Sequence, residues 1–131
     1  MATINKFEDL EIWQAARKLN NDVRPVLESL IESRNFKLKE QLDGAAGSVM
    51  DNIAEGFERS GNREFIQFLS IAKGSLGEVR SQLYRAFDRN AIEEERLNEF
   101  QKESSDLANR IGKFIVYLNK NNFAGTKYKN N

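Results

Sequence analysis

The side chains with the widest range of chemistry are missing from this chain, because its 131 residues include neither histidine nor cysteine. Imidazole bases, thiolate nucleophiles, disulfides and nearly every zinc or haem site are thereby excluded. The remaining polar residues that cluster in sequence lie around one break, at Asn52, Glu55, Arg59 and Arg63. A catalytic role for them would require a carboxyl group of raised pKa beside a cleft, and nothing in the sequence demands one.

These residues have a second interpretation, as the salt-bridged end of a helical bundle. Glu55 precedes Arg59 by four residues, the spacing and order that favour an ion pair on a helix. An enzyme would use Glu55 and Arg63 in catalysis, whereas a polar network would use them only to specify how the helices meet. We adopt the second interpretation, and we therefore expect no enzymatic activity, no cofactor and no metal.

The basic residues fall into two groups that could contact a nucleic-acid backbone. Lys73 and Arg80 are seven residues apart and share a helix face, and no acidic residue follows Asp106. Twenty basic and twenty acidic residues nevertheless cancel, whereas nucleic-acid-binding domains usually carry net positive charge. Two interpretations stay open, a nucleic-acid-binding surface and a solvated face whose charges complement the helix ends. The candidate nucleic-acid-binding residues are Arg59, Arg63, Lys73, Arg80, Arg110, Lys113, Lys120, Lys127 and Lys129.

Two pairs of glycines stand out because they are expected inside helices. Gly44 and Gly47 precede a polar turn near Ser60, and Gly74 and Gly77 follow it at matching distances. A glycine inside a helix costs about 1 kcal/mol relative to alanine, so four of them need a compensating contact. If the flanking segments are antiparallel helices, the two pairs lie at the same height, and we expect the backbones to approach closely there. The alternative is that one or more glycines face outward and admit a neighbouring subunit or a ligand.

Helical periodicity accounts for most of the chain. There is one proline, and neither strand-like alternation nor paired hairpin signals are present. The spacing predicts a first helix beginning between Asn5 and Asp9, with a kink or break just before Pro25. Three more helices are predicted over about 37–57, 62–89 and 93–120. The residues predicted to face the core are Ile12, Ala16, Leu19, Val23, Val26 and Leu30; Leu38, Leu42, Ala45, Ala46, Val49, Ile53 and Phe57; Phe65, Phe68, Leu69, Ala72, Leu76, Val79, Leu83 and Phe87; and Leu97, Phe100, Ser104, Leu107, Ile111, Phe114 and Leu118.

The connections between these segments are short, which forces neighbouring helices to run antiparallel. The sequence therefore predicts an all-α fold, an up-down-up-down antiparallel four-helix bundle over residues 1–121, followed by a flexible polar and basic tail over residues 122–131. No apolar run approaches the roughly 20 residues that span a bilayer, and the N-terminus lacks the apolar stretch of a signal peptide. We therefore expect a cytoplasmic protein.

Several apolar residues lie outside the predicted core positions and give the third and fourth helices a wide apolar face. They belong either to a fully packed bundle or to an oligomer interface. These residues are Ile66, Ile71, Ile115, Val116 and Tyr117, with Phe7 and Trp13 near the N-terminus.

A set of spaced residues over about 7–120 resembles one bacterial family. The set comprises Phe7, Leu10 and Trp13; Gln41 and Ser48; the run from Asn52 to Gly56; Arg59; Phe65, Phe68, Leu69 and Ala72; and Gly74, Ser75, Glu78 and Gln82. The chain resembles the four-helix bundle family encoded in intervening sequences of large-subunit ribosomal RNA genes, a relative of the accessory variability determinant of diversity-generating retroelements. The residues assigned to the family motif or to helix packing are Gly44, Gly47, Asn52, Glu55, Gly56, Gly74, Ser75, Gly77 and Glu78.

The resemblance implies a ring-shaped homopentamer of bundles and no catalytic residues. For the retroelement relative it implies binding to nucleic acid and to a reverse transcriptase through a basic surface. We accordingly expect a non-enzymatic oligomeric scaffold or adaptor, whose partner is structured RNA or a nucleic-acid-bound protein. The alternative is a purely structural protein–protein interaction module without affinity for nucleic acid.

Overall fold

The computed structural model describes residues 4–121, which form an antiparallel four-helix bundle. A short 3-10 helix at Phe7–Asp9 is followed by α1 (Glu11–Asp22), α2 (Arg24–Glu32), α3 (Phe36–Glu58), α4 (Asn62–Asp88) and α5 (Glu94–Lys120). Together α1 and α2 take the place of the predicted first helix, so the predicted all-α bundle is confirmed. The tail predicted over residues 122–131 lies outside the described residues.

The break between α1 and α2 lies at Val23, two residues before Pro25. Proline has no backbone N–H, and in a continuous helix its ring would clash with the carbonyl of Asn21. The chain begins a new helix instead, and the backbone N–H groups of Val26 and Leu27 donate to the carbonyl of Val23 at 3.0 and 3.1 Å. Proline is tolerated in a first helical turn, so the predicted interruption just before Pro25 is confirmed.

The connections between the long helices are tight because single residues reverse the chain. After α2, Arg34 adopts the left-handed conformation with a φ of 64°, and Asn35 donates its N–H to the carbonyl of Leu30 at 2.8 Å. The end of α4 is built in the same way around Asn90, which has a φ of 61°. The turn from α3 to α4 uses Gly61 at a φ of 152°, a backbone conformation that side chains disfavour.

The core lies between the helices, and the contact of α3 with α4 is its most extensive part. Helix α1 packs against α3 and α5, and α2 packs against α3. Every predicted core position is buried except Phe68, Phe87 and Phe114, which are partly buried. The helical period therefore identified the core correctly.

The apolar residues outside these core positions divide into two classes. Ile71 and Val116 are each 52% exposed. The others pack partly against the core; they are Phe7, Trp13, Ile66, Ile115 and Tyr117. No helix within residues 4–121 combines the length and the apolar character needed to cross a membrane.

Candidate interaction surfaces

A partly buried polar network joins α3 to α4 near the middle of both helices. The hydroxyl groups of Ser48 and Ser75 are 2.9 Å apart and form a hydrogen bond between the helices. The side-chain amide of Asn52 donates to the carbonyl and the hydroxyl oxygen of Ser48, at 2.8 and 2.9 Å. Because partly buried polar atoms need partners, this network favours one register of the two helices.

The four glycines near this network do not make the predicted helix–helix contact. A Cβ atom added at Gly44, Gly47, Gly74 or Gly77 would meet no atom within 4 Å beyond its own helix backbone. Matching distances from the turn set the height of each pair along the bundle, but they do not set the direction in which a residue faces. The predicted close approach of the backbones at these glycines is therefore wrong, and the outward orientation left open by the sequence is the one observed.

The close approach within the hairpin occurs at Gly56 instead. A Cβ atom at this position would lie 2.7 Å from Cβ of Phe68 and 3.0 Å from Cδ1 of Phe65. Both phenylalanines belong to α4, so the absence of a side chain at Gly56 lets the end of α3 pack against the start of α4. Among the residues that the sequence assigned to the family motif or to helix packing, Gly56 is buried whereas Glu78 is exposed.

Arg59 is held by carboxylates at the turn between α3 and α4. Its Nε donates to Oε2 of Glu55 at 2.9 Å, and its Nη1 lies 3.8 Å from Oε2 of Glu64. The guanidinium also lies over the ring of Phe68, 5.0 Å from the centroid. The predicted ion pair between Glu55 and Arg59 is confirmed. Since two carboxylates balance this cation, it adds little attraction for a phosphate group.

Five of the candidate cations lie on exposed sides of α4 and α5, and we call this set the basic strip. All five are exposed, and within residues 4–121 none of them has a carboxylate within 4.0 Å. The Nζ of Lys73 lies 3.6 Å from the position of a Cβ atom at Gly112 on α5, and Nε of Arg80 donates to Oε1 of Gln101 at 3.0 Å. The basic strip consists of Arg63, Lys73 and Arg80 on α4, and Lys113 and Lys120 on α5.

One end of the basic strip is an open depression of about 580 Å³ lined by Arg63 and Lys120. Asn62 holds the two helices together there, because its side-chain amide donates to the carbonyls of Leu118 and Asn121 at 2.7 and 2.6 Å. The start of α4 and the end of α5 are thereby adjacent, which brings the two cations to one place.

The other candidate cations do not join the basic strip. Nη2 of Arg110 lies 3.8 Å from Oε2 of Glu11, so this residue faces α1 rather than α4. Lys127 and Lys129 lie outside the described residues. Within residues 4–121 there is also no group of three or more acidic side chains arranged to hold a metal ion.

A surface of opposite charge lies along the outer side of α3, and we call it the acidic face. Its carboxylates are all exposed, and no lysine or arginine occurs between its first and last residue. Gly44 and Gly47 lie on the same side of the helix, between the carboxylates. Sequence reasoning missed this face because charge was counted over the whole chain, whereas counting it helix by helix would have found it. The acidic face consists of Glu40, Asp43, Asp51, Glu55 and Glu58.

A protein-family model described as the 23S rRNA-intervening sequence protein matches residues 8–113. The chain belongs to the 23S rRNA-intervening sequence protein family. The matched range includes α1 to α4, most of α5 and the whole acidic face. The resemblance derived from the run Asn52 to Gly56 and from Gly74, Ser75 and Glu78 is therefore confirmed at the level of the family. No curated protein matches this intervening sequence protein significantly.

Proposed function

We propose that this 23S rRNA-intervening sequence protein is a non-enzymatic scaffold that assembles into a homo-oligomer, with the pentamer implied by the resemblance as its form. The observation that carries the proposal is the outward orientation of Gly44, Gly47, Gly74 and Gly77. Each lowers the stability of its helix by about 1 kcal/mol relative to alanine. No contact within the described chain makes use of the missing side chains, whereas a helix of a neighbouring copy could approach closely at these positions.

Exposed apolar side chains support the same proposal. Ile71 and Tyr84 on α4 and Val116 on α5 are each about half exposed. Burying such side chains is favourable by roughly 25 cal/mol per Å² of apolar surface removed from water. If a subunit interface covers these residues, their burial would offset the stability that each chain loses because of its helical glycines.

The mass of the full chain in solution tests this proposal. We expect light scattering at micromolar concentration to give a multiple of the monomer mass of 15.1 kDa. A monomer throughout the micromolar range, at low and at moderate salt, would show that the scaffold proposal is wrong.

RNA binding through the basic strip is a second candidate function. The specific observation that favours it is the set of five exposed cations without carboxylate partners among residues 4–121. Free cations along a surface neutralise phosphates and release counterions, and this is the main source of non-specific affinity for nucleic acid. In this case the scaffold would present RNA, as an adaptor does.

A labelled structured RNA tests the second candidate. If the basic strip binds RNA, the wild type should shift the probe at low salt and lose affinity steeply with added salt, with a log–log slope of up to about −4 for five contacts. Lys73→Ala with Lys113→Ala should weaken binding and flatten the slope by roughly 2, whereas the control Arg24→Ala with Lys37→Ala should leave both unchanged. Absence of any shift at low salt would leave a protein interaction module without affinity for nucleic acid.

A further inference from the structure

The zero net charge of the chain results from two charged surfaces of opposite sign on different helices. Along α3, Glu40, Asp51 and Glu58 recur at helical spacing on one side, and all three are exposed. Within residues 4–121 neither Asp51 nor Glu58 takes part in an ion pair, and the same holds for Asp43. The acidic face therefore carries charge that the rest of its own bundle leaves uncompensated.

The basic strip has the matching pattern on α4 and α5. On α4, an exposed or partly buried stripe with spacings of three and four residues runs through Arg63, Ile66, Ser70, Lys73, Gly77, Arg80 and Tyr84. On α5, Lys113, Val116 and Lys120 continue it with the same spacing. Cations therefore alternate with small and apolar side chains, as in a surface that another helix can approach.

We propose that the acidic face of one copy of this chain docks onto the basic strip of a second copy, as a head-to-tail contact. The inference rests on the proposed self-association and names the surfaces that carry it. The surfaces are opposite in sign: the five cations have no carboxylate partner within residues 4–121, and three of the five carboxylates have no cation partner there. The other two, Glu40 and Glu55, are already paired with Lys39 and Arg59. The glycines of both surfaces, Gly44 and Gly47 on one and Gly77 on the other, lower the steric barrier to helix approach.

A second copy fits these observations better than RNA does. RNA would neutralise the basic strip but would leave the acidic face of the same protein without a partner. Docking of a second copy pairs the acidic face of one copy with the basic strip of the other, and the contact repeats because the docked pair still has one free surface of each kind. A repeated head-to-tail contact closes into a ring when the rotation between subunits allows it.

Charge determines the orientation of this contact more than its strength. Exposed ion pairs contribute little individually and are screened by salt, whereas burial of Val116 and Ile66 adds affinity that salt does not weaken. Because each surface carries charge of one sign, two acidic faces repel each other and so do two basic strips, which leaves contact between a face and a strip. The assembly should consequently weaken, but not vanish, as salt rises.

A charge-swap experiment on the full chain tests the docking. Reversing the strip with Lys73→Glu and Lys113→Glu should give a monomer by light scattering, and so should reversing the face with Asp43→Lys and Asp51→Lys. Combining all four changes in one chain should restore assembly. Mixing the two variants should give at least a heterodimer, through the unchanged acidic face of one variant and the unchanged basic strip of the other. The matched controls change the net charge equally on other exposed residues, Arg24→Glu with Lys37→Glu for the strip and Glu28→Lys with Glu32→Lys for the face.

The outcomes separate the docking from the proposals on which it rests. A monomeric wild type would overturn self-association and docking together. A wild-type oligomer whose two reversed variants assemble equally well would overturn only the docking, because another surface would then hold the subunits. A reversed strip that assembles normally but no longer shifts RNA would assign the strip to RNA and overturn the docking. If circular dichroism shows that a variant does not fold, light scattering of the wild type at increasing salt tests the docking instead. Assembly that salt does not weaken would contradict the inference.

Discussion

Glu103 is the carboxyl group whose surroundings least favour its charge. It lies on α5 against α1, partly buried, with Nζ of Lys18 at 3.6 Å from its Oε2. Burial raises the pKa of Glu103 above its ordinary range, and the nearby negative charge of Asp22 raises it further, against the smaller opposing effect of Lys18. Lys18 hydrogen-bonds Asp22, so one cation is shared by two carboxylates.

The raised pKa of Glu103 predicts a stability that depends on pH. Because the folded chain binds this proton more tightly than the unfolded chain, the contribution is present below the ordinary carboxyl range and is lost as pH rises through the folded pKa. Glu103→Gln should remove this dependence and stabilise the neutral-pH protein by roughly 0.5 kcal/mol, the size of a partly screened charge interaction. Urea unfolding between about pH 4, close to the ordinary pKa of a glutamate, and about pH 7 measures how the free energy of unfolding depends on pH.

The matched control for this substitution is Glu99→Gln, which removes a carboxylate from the more exposed pair with Arg96 on the same helix. This control should keep the pH dependence of the wild type. If Glu103→Gln proved less stable than the wild type at neutral pH, the pair with Lys18 would outweigh the burial and the repulsion from Asp22.

At the scale of the element, α3 contains glycines with opposite structural roles. Gly56 is enclosed by α4, whereas Gly47 has open space where a Cβ atom would be. Both occupy helical positions, so their intrinsic cost to the helix is similar. The difference between them is entirely one of tertiary contact.

Alanine at these two positions should therefore change stability in opposite directions. Gly56→Ala places a Cβ atom against Cβ of Phe68, which cannot rotate away, and should destabilise by about 1–2 kcal/mol after the gain in helix propensity. Gly47→Ala should stabilise the monomer by about 0.5–1 kcal/mol. Denaturant unfolding of both variants at low protein concentration measures these changes in the free energy of unfolding. Equal changes for the two variants would show that the contacts around Gly56 do not distinguish it from Gly47.

The same comparison shows how far the sequence of an element predicts its contacts. The period of α3 correctly placed Leu42, Val49 and Ile53 in the core. The mirror spacing of Gly44 and Gly77 predicted a contact that does not form, because spacing along a chain sets height and not rotation about the helix axis. The position of the four glycines inside helices was predicted correctly, but the contact predicted between them within the bundle does not form.

At the scale of the whole molecule, a net charge of zero conceals a strongly uneven distribution. The balance of twenty basic and twenty acidic residues weakened the case for nucleic acid when only the sequence was considered. The fold places five carboxylates along α3 and five cations along α4 and α5. Forces between molecules depend on such local surfaces within a Debye length of about 8–10 Å, so the sum over the chain is a poor guide to partners. The proposed self-docking and the proposed RNA binding both depend on these surfaces, and the charge-swap experiment separates them.

The sequence by itself determined the helices, the break before Pro25, the short turns, the core positions and the family. These features depend on local backbone sterics and on a side-chain period of 3.6, both of which are written along the chain. The tertiary structure decided how closely a neighbouring helix approaches at positions outside the predicted core, and therefore that Gly47 is open, that Gly56 is enclosed and that Lys73 lies against α5. Rotation of one helix against another follows from the packing of all side chains together, so no single segment encodes it.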